Sequence, residues 1–522
     1  MRPFDSNGTF CRPEAAIRQL AIRGAGVTVF SGSMGIGLQL ISTIVLARLL
    51  TAADFGVVTM VTTFSLLLVN FGLNGFTEAV IQREDIGHTL ATNLFWITVS
   101  AGFVLTCAFA AAGSVLARFY HDPLVKHVAA GVSLTIFLTS AQVMHLALLK
   151  RAMRFSQVSV NDVISRAVSI ATAILLAWRG FGYWSLVAGA IAQPFSACIG
   201  AWTMCRWLPG LPQRVPGTGA MVRFAFHVYA RFTFNYFSRN TDNVLVGWRF
   251  DAQALGFYKK AYDLFALSSG LLVSSLTSVA IAALSRCKND PHQFQKYLFR
   301  ALSAIAFVGM GLAGELTLTG KYVIKVLLGP GWEPSGQMFT FFGPGIGVML
   351  LYGTTDWIHL SIGRPDRWFR WSIIEYVLTA LLFLVGLHWG PVGVAMAWTA
   401  SFWLLTVPAF WYAGRPMKLK VTLLINAVWK YVAAALLAVL SAAMALSRIP
   451  APVAASTTST VVAQLALASV LFASFYLACL ALLYRGMAPL REHSRLLGEM
   501  IPWNRLSRFA RQAPASVPAT RT

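Results

Sequence analysis

Charged side chains are scarce in this sequence. Only 12% of its 522 residues are Asp, Glu, Lys or Arg, about half of the roughly 25% that is typical of a soluble domain. Hydrophobic residues make up 57% of the chain, and the mean hydropathy is +0.64. This balance excludes an ordinary soluble globular protein and is typical of a protein that crosses a membrane many times.

Cysteine patterns and enzyme motifs are lacking as well. The six cysteines show no CxxC or Cys/His spacing, so we predict neither a disulfide framework nor a metal site. No P-loop, GxSxG, HExxH or dinucleotide fingerprint occurs in a plausible context. The first 24 residues have no apolar core of the kind found in signal peptides. We therefore expect no cofactor, no enzyme activity and no cleaved leader.

Acidic residues are few, with 19 Asp and Glu against 42 Lys and Arg, which gives a net charge of +23. On a soluble protein this excess would indicate nucleic-acid binding. Here the basic residues recur in short loops between apolar runs, so nucleic acid is not an expected partner. Most of them lie on the side of the membrane that holds both ends of the chain. By the positive-inside rule we predict that both termini are cytoplasmic.

Apolar runs of about 20 residues, long enough to span a bilayer, follow one another along most of the chain. We predict an all-α integral membrane protein with about fourteen transmembrane helices. Hydropathy is weakest at 222–248 and 254–284. The predicted helices lie near 25–47, 55–80, 90–117, 124–149, 158–178, 182–205, 222–248, 254–284, 296–319, 335–362, 367–387, 390–413, 424–446 and 458–484.

The longest loop, near 206–221, is rich in Pro and Gly and falls near the middle of the chain. We expect it to link two six-helix halves, a plan in which transporters place their site at the interface. The predicted parts are an N-terminal cytoplasmic tail (1–24), an N-terminal six-helix bundle (25–207), a cytoplasmic linker (208–221), a C-terminal six-helix bundle (222–413), two additional transmembrane helices (414–486) and a basic cytoplasmic tail (487–522).

The apolar stretch FNYFSRNTDNVLVGWRF at 234–250 carries charges where lipid is expected. An arginine at the bilayer centre costs about 2.5–3.5 kcal/mol on insertion scales. We therefore expect its polar residues to face an aqueous cavity, with Arg239 and Asp242 paired across one helical turn. The alternatives are a helix lying flat in the interface and a structural salt bridge between helices. The polar residues that share one helix stripe are His227, Arg231, Asn235, Ser238, Arg239 and Asp242.

Further ionisable residues lie inside predicted spans. Asp162 and Arg166 are four residues apart on one helix, where they form either a local ion pair or a site with Arg166 as a second cavity cation. Asp356 with His359, and Glu375, are buried candidates. We expect that each of these residues either carries a proton for coupling or makes a hydrogen bond between packed helices.

Six segments, taken in order, resemble the Wzx-like polysaccharide/oligosaccharide-lipid flippase family. This family is the polysaccharide transporter branch of the multidrug/oligosaccharidyl-lipid/polysaccharide superfamily. The segments span most of the chain from 45 to 410. They are LARLLTAADFGVVTM (46–60), FGLNGFTEAVIQREDI (71–86), RNTDNVLVGWRFDAQALGFYKKAYDL (239–264), LLGPGWEPSGQMF (327–339), GRPDRWF (363–369) and GPVGVAMAW (390–398).

The resemblance implies a function that the residues alone leave open. Proteins of this family move an undecaprenyl-diphosphate-linked oligosaccharide from the inner to the outer leaflet of the bacterial cytoplasmic membrane. The resemblance implies a fold of two six-helix bundles in a V, with a cationic cavity between them. We expect the same role here, in exopolysaccharide, O-antigen or capsule biosynthesis. A polysaccharide polymerase and a chain-length regulator are the expected protein partners.

Together, the charge pattern and the resemblance give a hypothesis for the site. Arginines in a wet cavity suit a diphosphate because guanidinium makes bidentate phosphate contacts. Lys259 and Lys260 are expected to guide the headgroup near the outer side. The expected substrate-cavity residues are Arg231, Arg239, Arg166, Asn235, Asp242 and His227. The hypothesised coupling to a H⁺ or Na⁺ gradient rests on the carboxylates Asp162, Asp242, Asp356 and Glu375.

Three rival interpretations make different predictions. A multidrug-type antiporter should present acidic groups to cationic drugs, whereas this stripe is basic. A membrane-embedded polymerase or glycosyltransferase usually carries carboxylates on a sizeable outer loop, and the outer connections here are short. A scaffold protein in a cell-envelope complex predicts that reversing the charge of Arg231 and Arg239 leaves export intact.

Overall fold

The computed structural model describes residues 3–5, 7–10, 17–83, 85–213, 215–449 and 458–486. Within these ranges the chain is nearly all helical. The described residues form no β-strand, and their only β-pairs are the isolated bridges Phe4–Phe10 and Thr9–Gly87. The predicted all-α membrane fold is confirmed.

The N-terminal half holds eight α-helices within the described ranges. A π-helix at Phe71–Phe76 joins the second helix to the third, so Ala52–Gln82 is one continuous segment long enough to cross a membrane. The helices are α1 (Ile17–Leu49), α2 (Ala52–Asn70), α3 (Thr77–Gln82), α4 (His88–Tyr120), α5 (Leu124–Arg151), α6 (Phe155–Trp178), α7 (Tyr183–Cys205) and α8 (Thr218–Arg249).

The second half supplies another eight α-helices in the part of the chain that the structure describes. Single 3₁₀ turns, Leu387–Trp389 and Arg415–Met417, follow the fifth and sixth of these. The helices are α9 (Ala252–Arg286), α10 (Pro291–Leu328), α11 (Glu333–Tyr352), α12 (Thr354–Ser361), α13 (Pro365–Gly386), α14 (Gly390–Gly414), α15 (Val421–Ser447) and α16 (Thr458–Leu483).

Eleven segments of the described residues are long and apolar enough to cross a membrane. One of these segments, Pro365–Met417, contains both α13 and α14, and neither α8 nor α9 is among the eleven. The low hydropathy of these two helices follows from the polar residues in α8 and at the start of α9. Fourteen described helices have 19 residues or more, but the number that spans the bilayer stays a prediction.

The chain divides into two compact units. The first comprises Met1–Gly270, Gly320–Phe342 and Ser372–Ser401, and the second comprises Leu271–Thr319, Gly343–Trp371 and Phe402–Thr522. In the first unit α1 packs on α6, α4 on α5, α6 on α7 and α2 on α8. In the second unit a buried core that includes several aromatic side chains joins α10, α15 and α16. Both units are discontinuous in sequence, because five long helices each contribute a segment to both.

The linker before α8 is fastened to α4 in the first unit. Trp96 Nε1 donates to the Gly210 carbonyl at 2.8 Å, and the Gln213 amide donates to Asn93 Oδ1 at 2.9 Å. Between the linker and α4 lies an open cavity of about 950 Å³ whose lining includes Trp96, Pro212 and Pro216. The Pro/Gly-rich loop therefore has a defined path, although proline and glycine deprive it of helical structure.

Candidate functional site

The polar stripe predicted on α8 has exposed side chains along four turns. Arg223, His227, Asn235 and Arg239 are all exposed, and they span about 24 Å along the axis at 1.5 Å per residue. The side chain of Arg231 lies outside the described residues. Arg223, one turn before His227 on the same helix, adds a further exposed cation to this series. We call these four exposed residues the α8 stripe.

Another face of α8 is fixed against α2. The Tyr236 hydroxyl donates to the Thr63 carbonyl at 2.7 Å, and the Tyr229 hydroxyl donates to the Leu67 carbonyl at 3.0 Å. These tyrosines are seven residues apart, so they lie on one side of the helix. Their hydrogen bonds set the rotation of α8, and this rotation leaves the α8 stripe outside the α2–α8 contact.

Asp242 does not belong to the exposed stripe. It is only 1% exposed; the Tyr258 hydroxyl donates to its Oδ2 at 2.7 Å, and the Asn243 amide donates to its Oδ1 at 2.8 Å. Among the described residues no ion pair joins it to Arg239, so the expected pairing is wrong. Asp242 lies seven residues after the exposed Asn235, and therefore on the same side of α8. Its burial follows instead from its position near the end of the helix, where Tyr258 of α9 packs against it.

The Asp242–Tyr258 hydrogen bond gives a stability prediction. We expect Tyr258→Phe to lower the free energy of unfolding by about 1–3 kcal/mol, because it removes a donor from a buried carboxylate. The melting temperature of the purified protein in detergent measures the loss. Tyr297→Phe, at an exposed tyrosine of α10, is the matched control and should leave the melting temperature unchanged. Equal melting temperatures for both variants would contradict the prediction.

Arg166 makes the local ion pair that its spacing predicts. Its Nε lies 2.9 Å from Asp162 Oδ2, and the two side chains are 41% and 45% exposed. A Cβ placed on Gly35 of α1 would lie 3.7 Å from Arg166 Cδ, so glycine leaves room for the guanidinium beside α1. The ion pair uses one of the five N–H donors of the guanidinium group. The other donors of this partly exposed side chain are suited to contact with an anion.

The two lysines of α9 differ from each other, and Lys260 differs from expectation. Lys259 Nζ lies 2.7 Å from Asp263 Oδ1, with both side chains partly exposed. Lys260 is 7% exposed, and its Nζ sits 3.8 Å from the centre of the Phe55 ring. A buried cation over an aromatic face is stabilised by the ring quadrupole. Guidance of a headgroup by Lys260 is therefore wrong, because the ammonium is enclosed between α2 and α9.

The first turns of α2 and α9 meet at two glycines. A Cβ on Gly56 would overlap the carbonyl oxygen of Ala252, and a Cβ on Gly256 would overlap the carbonyl oxygen of Ala52. Each helix starts at a side-chain cap, Thr51 for α2 and Asp251 for α9. We call this reciprocal contact the α2–α9 junction.

The α2–α9 junction rests on a short internal repeat that our sequence interpretation missed. After each cap comes Ala and, four residues later, Gly: AADFG at 52–56 and AQALG at 252–256. Neighbouring hydrogen bonds reinforce this end of the first unit: Trp332 Nε1 donates to the Ala47 carbonyl at 2.9 Å, and Arg48 Nη2 donates to the Val326 carbonyl at 3.0 Å. Close backbone contact at the two glycines and these bonds from side chains to backbone carbonyls thus hold this end of the first unit together.

Comparison with known proteins identifies the family. Residues 45–337, more than half of the chain, match the family described as "Polysaccharide biosynthesis protein". The chain belongs to this family. The matched range of this polysaccharide biosynthesis protein includes both helices of the α2–α9 junction and the whole α8 stripe. The resemblance predicted from the six segments is confirmed.

Relatives of this polysaccharide biosynthesis protein are similar at low identity over long ranges. The succinoglycan biosynthesis transport protein ExoT of Rhizobium meliloti (strain 1021) is 22% identical over 376 residues, 72% of this chain and 76% of ExoT. The lipopolysaccharide biosynthesis protein WzxC of Escherichia coli (strain K12) is 19% identical over 417 residues, 77% of this chain and 82% of WzxC.

Solved structures show the fold. The lipid II flippase MurJ, in an inward closed conformation, superposes with a TM-score of 0.69 at 15% identity, covering 89% of this chain and 99% of MurJ. An inward-facing multidrug resistance MATE family transporter superposes with a TM-score of 0.57 at 11% identity, covering 73% and 94% of the two chains. The polysaccharide biosynthesis protein therefore has the MurJ- and MATE-like transporter fold.

The remaining candidates in this polysaccharide biosynthesis protein are less exposed than the α8 stripe. Asp356 on α12 and Glu375 on α13 are partly buried, and His359 is 1% exposed. Among the described residues, no group of three His, Cys, Asp or Glu side chains is placed to hold a metal ion. The α8 stripe and the Asp162–Arg166 pair are thus the charged groups best placed for contact with a substrate.

Proposed function

We propose that this protein is a flippase that moves an undecaprenyl-diphosphate-linked oligosaccharide across the bacterial inner membrane for surface polysaccharide biosynthesis. The observation that carries the proposal is the exposed, cationic α8 stripe on a helix of a multi-pass membrane protein. Family membership, the transport role named for ExoT and the MurJ-like fold support it. The excess of basic residues in the loops on one side supports a cytoplasmic position for both termini.

The substrate's chemistry fits the residues of the first unit. The diphosphate is anionic and the sugars are hydrated, so both need a polar path through about 30 Å of hydrocarbon. Arg223 and Arg239 offer planar guanidinium groups that bind phosphate oxygens in pairs. Asn235 and His227 supply hydrogen-bonding groups between them. The polyprenyl tail stays in lipid, where it loses no hydrophobic stabilisation.

Movement of the headgroup requires alternating access. The α2–α9 junction closes the end of the first unit that the loop charges place outside. Release of the headgroup on that side follows when α2 and α9 part at Gly56 and Gly256. A H⁺ or Na⁺ gradient drives the cycle, and a polysaccharide polymerase and a chain-length regulator receive the product.

Deletion with complementation tests the proposed function. A strain lacking the protein should lose surface polysaccharide and accumulate single lipid-linked repeat units on the inner leaflet, and the wild-type gene should restore export. Accumulation on the outer leaflet would indicate a polymerase instead. Unchanged surface polysaccharide would contradict any role in its export.

A further inference from the structure

Glu315 is an ionisable residue deep inside a membrane helix. It is the only charged residue between Arg300 and Lys321, in the apolar stretch of α10. At 1.5 Å per residue it lies about 22 Å from Arg300 and about 9 Å from Lys321 along the helix. The bilayer core is about 30 Å thick, so the carboxyl group lies at hydrocarbon depth. Ionisable residues there are costly and are retained for function.

The partner of Glu315 is neutral. Ser469 Oγ donates a hydrogen bond to Glu315 Oε1 at 2.6 Å, and Ser469 lies near the middle of α16 (Thr458–Leu483). Both residues belong to the second unit and both are partly buried. The hydrogen bond therefore joins apolar stretches of two membrane helices through a carboxyl group.

No cation faces Glu315 from the helices packed against this part of α10, within the described residues. Gly314 and Gly311 of α10 lie against Phe472 and Tyr476 of α16, and Val439 of α15 also contacts Gly314. α16 carries no acidic or basic residue, and α11 carries none from Gly343 to Tyr352, the segment whose Gly347 lies opposite Gly309.

The titratable groups nearest along these helices have their own partners. The Tyr476 hydroxyl donates to the Phe307 carbonyl at 2.8 Å, and the Tyr431 hydroxyl of α15 pairs with Ser303 Oγ at 2.8 Å. Lys430, the single charged residue of α15, holds its Nζ 4.3 Å from the centre of the Tyr484 ring. An ionised Glu315 would thus be an unpaired charge, which is strongly unfavourable at this depth.

We propose that Glu315 is the proton-binding carboxyl through which export is coupled to a H⁺ gradient. The carboxylate takes up one H⁺ from water on one side, becomes a neutral carboxylic acid that tolerates hydrocarbon, and returns the H⁺ on the other side. Ser469 positions the group by its hydrogen bond. In the described residues Ser469 Oγ is the one side-chain oxygen bonded to the Glu315 carboxyl group, while Thr319 Oγ1 donates to the Glu315 backbone carbonyl. A hard metal cation takes about six oxygen ligands, so this arrangement favours H⁺ as the ligand. The assignment deepens the proposed flippase function and rests on it.

Infrared difference spectroscopy of the purified full-length protein tests proton binding without transport. The wild-type protein should show a carboxylic-acid C=O band that titrates with pH and shifts in D₂O. Glu315→Gln should lack this band. Glu333→Gln, at the exposed acid that begins α11, is the matched control and should keep it. A band that persists unchanged in Glu315→Gln would overturn the assignment.

Complementation of the deletion strain tests the coupling. Because glutamine keeps an acceptor oxygen for Ser469, a purely structural hydrogen bond predicts wild-type export for Glu315→Gln. We expect at least a tenfold loss instead. Ser469→Ala should keep export but shift the titration midpoint of the infrared band. Ser474→Ala, at an exposed serine of α16, should change neither export nor the midpoint.

The outcomes separate this inference from the proposed function. Wild-type export by Glu315→Gln, or export that follows an imposed Na⁺ gradient and ignores a H⁺ gradient, overturns the role of Glu315 and leaves the flippase function standing. Failure of the wild-type gene to restore export overturns the proposed function, while the infrared band still reports whether Glu315 binds a proton.

Discussion

Gly56→Ala is expected to reduce polysaccharide export at least tenfold while the protein remains in the membrane. The added methyl group would overlap the Ala252 carbonyl oxygen, which is a backbone atom and cannot swing aside as a side chain can. α2 and α9 must then separate, so the α2–α9 junction no longer closes. Surface polysaccharide of the complemented deletion strain, normalised to membrane abundance by immunoblotting, measures the effect.

The reciprocal contact supplies a second variant and a matched control. Gly256→Ala meets the Ala52 carbonyl and should reproduce the loss. Gly32→Ala and Gly37→Ala, on α1, place their methyl groups where no neighbouring atom lies within 4 Å. They should export normally, because alanine also favours helix over glycine by about 1 kcal/mol. Normal export by both Gly56→Ala and Gly256→Ala would show that the junction does not need close backbone contact.

A labelling experiment separates a gating defect from a folding defect. Ala52 is only 6% exposed, so a cysteine in Ala52→Cys should resist a membrane-impermeant thiol reagent. Adding Gly256→Ala should make that cysteine reactive from outside the cell if the junction is held open. A double variant that is abundant in the membrane, does not export and still does not react with the thiol reagent would show that the α2–α9 junction is not held open.

The α8 stripe could be predicted from the sequence because it depends on local periodicity. Polar residues at steps of three and four lie on one side of any helix, and Asn235 and Arg239 are exposed where this rule puts them. The edge of the stripe could not be predicted in the same way. Asp242 fits the periodicity but is buried, because Tyr258 of the next helix packs against it.

Features that depend on contact between helices could not be predicted from the sequence. Glycines 56 and 256 are 200 residues apart, and a single glycine near a helix start has many explanations. Lys260 follows Lys259 in the sequence, so both were expected to guide a headgroup. The enclosure of Lys260 depends on the Phe55 ring of another helix, which the local sequence does not reveal. Glu315 lies in a strongly apolar run, and its importance became visible with Ser469, more than 150 residues later in the chain.

Reversing the charge of the α8 stripe is the other change with a large expected effect. Arg239→Glu should lower export at least tenfold, because it places an anion where the diphosphate is proposed to bind and like charges repel at close range. Arg239→Lys keeps the charge but loses the planar pair of donors, so it should fall between wild type and Arg239→Glu. Surface polysaccharide and inner-leaflet lipid-linked units in complemented cells measure both.

The control for charge reversal lies at the end of the same helix. Arg249 is exposed and ends α8 beside the Phe250 ring, outside the α8 stripe. Arg249→Glu changes the net charge by the same amount and should export within about twofold of wild type. If Arg239→Glu also exports normally at wild-type abundance, the stripe does not bind the diphosphate, and a scaffold role becomes the better interpretation. If both variants fail equally, the effect is one of net charge or membrane topology, because position along α8 would then make no difference.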